Sequence, residues 1–149
     1  MIVVIAEKEE LKLVEELGYD NYPVLITGVG GMNVIRALKH LPKDTEIVNI
    51  GYCGSNHFKV GETVVIDKVG TQHEIAEFEE LRQQCFCTNG FKVATCYTAT
   101  DFVIKTNKKE RCVFDMELAF ICSMFDNVMS FKVVSDNLNK EDYEKNIKN

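Results

Sequence analysis

Two carboxylates in an apolar setting are the first residues of this chain whose type and spacing invite chemistry. Asp115 and Glu117 stand either side of Met116, with Cys112-Val113-Phe114 before them and an apolar run from Leu118 to Phe125 after. Carboxylates with such flanks need a partner or a task. One reading is local: Asp115 at or near an N-cap and Glu117 in the first helical turn, both favoured by the helix dipole. The other is that Glu117 points into a pocket and grips the hydroxyl groups of a sugar. A third acid, Asp136, follows the run Ser130-Phe131-Lys132-Val133-Val134, which reads as the last strand. It therefore stands at a strand's carboxyl end, where open α/β sheets place their ligands. Its local alternative is a cap on the following turn, or on a helix starting near Lys140.

Glycines mark two further places. Gly28-Val29-Gly30-Gly31 lies between an apolar strand at 22–27 and a helix through Val34, Ile35, Leu38 and Leu41. Strand, glycine loop and helix together turn backbone N–H groups toward an anion. Asn33 stands where a dinucleotide fingerprint wants its third glycine, and no Gly-Lys-Ser/Thr follows, so neither that motif nor a P-loop is present. A tight turn without a ligand is the alternative. Gly51-Tyr52-Cys53-Gly54-Ser55 reads as a second glycine turn, directly after a short strand at 47–50.

The elements that must position these residues follow from patterning. Residues 2–6 are apolar and mostly β-branched and predict a strand buried on both faces. Leu11, Leu13, Val14 and Leu17 among charges predict a helix over 7–17, stopped by Gly18. Further strands are expected at 60–66 and 91–98, a helix at 116–125, and a charged tail that frays. The 149 residues suit one domain, 1–149, with a real core. The 46% apolar and 27% charged content is that of an ordinary globular protein. A net charge of −6 and a pI near 5.1 argue against a nucleic-acid binder. No apolar run approaches membrane-spanning length, and the first five residues are too short for a signal peptide. A cytoplasmic setting with reduced thiols is expected, and no metal site, since Cys85-Phe86-Cys87 has no second pair at zinc spacing.

Seven motifs then fall in order along nearly the whole chain. They are Ala6-Glu7-Lys8-Glu9-Glu10, Gly28-Val29-Gly30-Gly31-Met32-Asn33, Asn49-Ile50-Gly51-Tyr52-Cys53-Gly54, Lys59 through Val65, Thr98 through Val103, Phe114-Asp115-Met116-Glu117 and Val134-Ser135-Asp136. This set resembles the nucleoside phosphorylase/nucleosidase superfamily, in its methylthioadenosine/S-adenosylhomocysteine nucleosidase branch. The resemblance implies a three-layer α/β/α fold around a mixed, mostly parallel twisted sheet. It implies a purine nucleoside as substrate, a homodimer, and no cofactor. It makes Asp136 the acid that protonates the purine at N7 and Glu10 the carboxylate that activates water. It puts Glu117 on the ribose hydroxyls, Met116 against the sugar, Phe102 on the base and Val103 beside it with backbone hydrogen bonds. Gly54, Ser135 and Gly28 join the substrate-binding set. Asp115 is expected to be structural.

The residues around position 51 favour water over phosphate. Relatives that use phosphate carry an arginine before this turn and a small hydroxyl residue after it; here stand Asn49-Ile50 and the bulky Tyr52. The chain also departs from the pattern. It is shorter, chiefly between Ile66 and Phe91 and beyond Asn149, and Thr98 and Thr100 replace a serine and an aspartate. Two alternatives stand beside the hydrolase: a catalytically silent nucleoside-binding or scaffold protein, and a phosphate-dependent phosphorylase.

Overall fold

A computed structural model of the chain describes residues 1–71, 81–82, 90–100, 103 and 111–148. Its strands are β1 (Ile2–Ile5), β2 (Val24–Ile26), β3 (Glu46–Gly54), β4 (Thr63–Thr71), β5 (Leu81–Arg82), β6 (Lys92–Thr98), β7 (Cys112–Asp115) and β8 (Asn127–Asp136). Its helices are α1 (Leu11–Glu16), α2 (Gly31–Leu38), α3 (Leu118–Met124) and α4 (Lys140–Lys148), with a single 3-10 turn at Lys8–Glu10 leading into α1. Five of the eight strand pairings among the described residues are parallel, so the sheet is mixed and mostly parallel as expected.

The pairing adds something to the expected stack of layers. β3 pairs with β8, β8 with β4, β4 with β6, β6 with β7, and β7 returns to β3 through Gly54 and Phe114. Five strands thus close on themselves, and β1 and β2 extend the sheet beyond β3. Strand alternation divides the apolar side chains between two cores. Val3, Ile5, Val48, Ile50, Val65 and Phe131 pack with Leu13 and Val14 of α1. Val4, Ile47, Val64, Ile66, Val128 and Val134 pack with Val34 and Leu38 of α2 and with Leu118 and Ile121 of α3. Neighbours along one strand go to opposite cores, which is why β1 reads as an unbroken apolar run. Among the described residues no helix is long and apolar enough to cross a membrane.

Three local expectations change. The stretch from Gly51 to Gly54 is the last part of the nine-residue strand β3, not a turn. The helix expected over 7–17 is a 3-10 turn and then six residues of α-helix, the turn being held by Glu10 Oε1 accepting from the Ala6 and Glu7 N–H groups. The tail forms α4 instead of fraying.

Candidate active site

β3 has two partners on one of its edges. β1 runs beside residues 47–49 and β7 meets it only at Gly54. Between them the edge is open, and a buried side chain serves it. Glu10 Oε2 accepts the Tyr52 N–H at 2.7 Å, while Oε1 accepts from Ala6 at 2.9 Å and Glu7 at 3.1 Å. The carboxylate thereby satisfies backbone donors where β1 and β3 part. A cleft opens at this point and encloses about 580 Å³, its open mouth included. Glu7, Glu10, Val29, Tyr52, Cys53 and Gly54 line one part of it, and Phe114, Asp115, Met116, Glu117, Ser135 and Asp136 another. Val103, Leu138 and Ile147 complete its apolar wall.

Gly51 and Gly54 are glycines because carboxylates pass over them. A Cβ on Gly51 would stand 2.6 Å from Glu10 Oε2 and 3.4 Å from Lys132 Nζ. A Cβ on Gly54 would stand 2.8 Å from Asp136 Oδ1. Asp136 is carried there by a bulge. The register runs Cys53 with Val134 and then Gly54 with Asp136, so Ser135 is the extra residue. A bulge re-aims the side chain that follows it. Asp136 is 1% exposed; its Oδ2 accepts from the Ser135 hydroxyl at 2.9 Å and its Oδ1 from the Leu138 N–H at 2.9 Å. It therefore caps the next turn and lines the cleft as well.

The acid pair divides. Asp115 ends β7, and its Oδ2 accepts from Lys132 Nζ at 2.9 Å and from the Leu118 N–H at 2.8 Å. Its Oδ1 accepts from the Thr98 hydroxyl at 2.6 Å, and that hydroxyl accepts from the Ala119 N–H. Asp115 thus joins β6, β7, β8 and the start of α3. Glu117 turns the other way, and its Oε2 accepts the Gly30 N–H at 2.8 Å. The anion held by the glycine loop is a side chain of the protein itself. Gly28 is not among the residues lining the cleft, contrary to expectation: its φ of +92° bends the chain and its N–H goes to the Ala6 carbonyl. Val29 takes the place at the cleft. Phe102 lies outside the described residues, as do Cys85 and Cys87.

No family model and no curated protein matches the chain. Solved structures do. The MTAN of Chlamydia trachomatis matches with a TM-score of 0.79 at 18% identity, over 99% of this chain and 86% of that one. The 5′-methylthioadenosine/S-adenosylhomocysteine nucleosidase of Helicobacter pylori matches at 0.76 and 13% identity, over 99% and 90%. The futalosine hydrolase of the same organism matches at 0.74 and 13% identity, over 99% and 90%. The chain has the fold of the methylthioadenosine/S-adenosylhomocysteine nucleosidases.

Within this nucleosidase fold the residue that the sequence did not point out is Lys132. It is 1% exposed, in mid-strand, beside Gly51. A signal was available: a lysine within a strand buried on both faces needs a buried partner. Burial works against its charge, but Asp115, Cys96, Glu117 and Glu10 outweigh that and hold its pKa above the ordinary value. Burial would also raise Asp115, yet Lys132 and the hydrogen bonds from Thr98 and Leu118 bring it below the usual carboxylate range. Glu10 ends above its usual value, because burial exceeds the effect of Lys132 and the backbone donors. Glu117 rises to about 8, through burial first and then the charge of Asp115. One lysine thus serves three carboxylates, and Asp115 takes it. Burial likewise raises the Cys53 thiol in the cleft wall, which makes it a poor nucleophile.

Proposed function

We propose that the protein is a purine nucleosidase that hydrolyses the N-glycosidic bond of an adenine-type nucleoside, as a cytoplasmic homodimer. The observation that carries the reading is the convergence of Glu10, Glu117 and Asp136, from three separate stretches of sequence, on one cleft. The nucleosidase fold supports it, and the Chlamydia trachomatis MTAN has been solved bound to MTA.

Breaking the bond leaves positive charge on the sugar and negative charge on the departing base. A protonated Asp136 gives its proton to N7 as the base leaves, a general-acid contribution of about 10²- to 10⁴-fold. Glu10, whose pKa burial raises above the usual carboxylate value, takes a proton from the attacking water, whose oxygen bonds to the anomeric carbon. Glu117 accepts from the ribose hydroxyls while Met116 packs on the sugar. Val103, and Phe102 where the resemblance places it, hold the base. Gly54 and Ser135 set the position of Asp136, by leaving room for it and by donating to it.

Water is favoured over phosphate by charge. No lysine or arginine is among the described residues that line the cleft, Lys132 beneath Asp115 is paired with it, and Glu7, Glu10 and Glu117 line the space. A phosphate dianion there would meet carboxyl groups and find no counter-charge. Asn49 is buried and is not among the residues that line the cleft; its amide donates to the Val4 carbonyl and its oxygen accepts from Ser130.

The test is release of free purine from a panel of nucleosides, with and without phosphate. Release without phosphate is expected, and Asp136→Asn lowers it by about 10²- to 10⁴-fold while the folded chain still binds nucleoside. Binding with no release under either condition would make the protein a silent nucleoside binder. Release only with phosphate would make it a phosphorylase.

A further inference from the structure

We propose that α4 is a fixed wall of the base side of the cleft, and that Ile147 is the residue that limits which bases fit. The inference rests on the assignment of Asp136 to the base made above.

The wall is set by its connections. Only residues 137 to 139 separate β8 from α4, so the helix has little slack. The Asn137 amide donates to the carbonyls of Ser55 at 2.6 Å and Phe58 at 2.9 Å. Leu138 takes a left-handed backbone, φ +67°, which a non-glycine residue rarely adopts, and its N–H is the one that Asp136 Oδ1 accepts. At the far turn of α4 the Asn146 amide donates to the Ser135 carbonyl at 2.8 Å, next to Asp136. The helix is therefore tied at both ends to the strand end that carries the acid.

A nine-residue helix is too short to stand alone in water. In Lys-Glu-Asp-Tyr-Glu-Lys-Asn-Ile-Lys the apolar residues are Tyr143 and Ile147, and Ile147 is 4% exposed and faces the cleft. Its company in that wall is Leu138, Phe114 and Val103, which pack with Tyr97 and Cys112 in one apolar cluster. The cleft is thus divided by polarity. Glu10 and Glu117 suit the sugar and the water, while the aliphatic and aromatic wall beside Asp136 suits the faces of a flat heterocycle. On a purine, N7 lies between the hydrogen at C8 and the substituent at C6. A wall beside the acid meets groups added at those two positions.

The experiment is calorimetric binding of adenine, 8-bromoadenine and N6-benzyladenine to the full chain and to Ile147→Ala and Asn146→Ala. The wild type is expected to prefer adenine by about 10- to 200-fold, the range an apolar pocket achieves against a misfitting group. Ile147→Ala narrows that preference at least about tenfold for one or both substituted bases. Asn146→Ala, which releases the helix without altering the cleft's side chains, shifts it in the same direction. Equal binding of all three bases by the wild type, or an unchanged preference in both variants, would overturn the inference while leaving the nucleosidase reading in place. Failure of adenine to bind the wild type would overturn the base-side assignment, and this inference with it.

Discussion

Replacing Glu117 with Gln removes a carboxyl group that the fold holds at a pKa of about 8. Burial is the main cause, the charge on Asp115 adds to it, and Lys132 and the Gly30 N–H oppose it. Between pH 4.5 and pH 8 the folded chain keeps a proton on Glu117 that the unfolded chain has released. Raising the pH through that window therefore favours unfolding, and below it the group makes no difference. For an isolated group the gap between 4.5 and about 8 would amount to ~5 kcal/mol, at ~1.4 kcal/mol per pH unit. The charge of Asp115 lies close to Glu117, which is only half-buried beside the cleft, so roughly half of that, ~2–3 kcal/mol, is the expected effect. The measurement is urea unfolding of wild type and Glu117→Gln at pH 5 and pH 9. The Gln oxygen still accepts from Gly30, so the variant keeps the local hydrogen bond. Wild-type stability should fall by ~2–3 kcal/mol more than that of the variant between the two pH values. Parallel pH dependence in the two proteins would refute the reasoning: Glu117 would then be ionised in the free protein, and the crowding of carboxylates around one lysine would not control its charge. Since only the ionised form accepts from two hydroxyls at once, the proposed function adds that turnover of ribosides rises up to about pH 8.

Other substitutions test the same cluster. Lys132→Met leaves Asp115 buried without its counter-charge, and a loss of ~3–5 kcal/mol is expected in denaturant unfolding. Adding Asp115→Asn to it should recover much of that loss, because the uncompensated charge is then gone; strict additivity of the two changes would count against the pairing. Gly54→Ala puts a Cβ 2.8 Å from Asp136 Oδ1 and 3.0 Å from Leu138 Cδ2, so the acid must move. On the proposed function, base release should fall far more than thermal stability does, as read by a rate assay beside circular dichroism. Gly51→Ala does the same to Glu10, whose Oε2 is 2.6 Å from the new carbon.

The strands were legible in the sequence because burial on both faces leaves a plain signature, a run of β-branched residues in β1 and shorter stretches, Ile47-Val48 and Val133-Val134, in β3 and β8. What the runs did not disclose is closure. The return from β7 to β3 rests on one residue pair, Gly54 with Phe114, sixty positions apart in the chain, and no local pattern encodes it. The glycines were legible as special and misread as to why. Gly51 and Gly54 looked like turn residues because turns are the commonest use of glycine. Here they lie in a strand and are small so that side chains from elsewhere can cross them. Gly28 and Gly30 are the reverse case: both have positive φ and do bend the chain, but Gly30 presents its N–H to Glu117 while Gly28 turns back to β1. Glu10, Glu117 and Asp136 were identified beforehand and meet in the cleft; Lys132 was read only as part of a strand, since its partner Asp115 lies seventeen residues earlier.

Asp115 and Glu117 show why the cleft has no free positive charge among its lining residues. Two residues apart on a continuing strand, they would share a face and compete for Lys132. The strand ends at Asp115, and Glu117 turns with φ −130° and ψ −34° to precede α3. That break sends the first carboxylate inward to the lysine and the helix start, and the second toward Gly30 at the cleft. The positive charge is spent on a residue that holds the fold together, and none is left at salt-bridge distance from Glu10 or Glu117 among the described residues. A site of this composition offers an incoming anion no counter-charge, and as its carboxyl groups ionise it favours cationic character in what it binds. The sugar of a breaking N-glycosidic bond has that character, and phosphate does not.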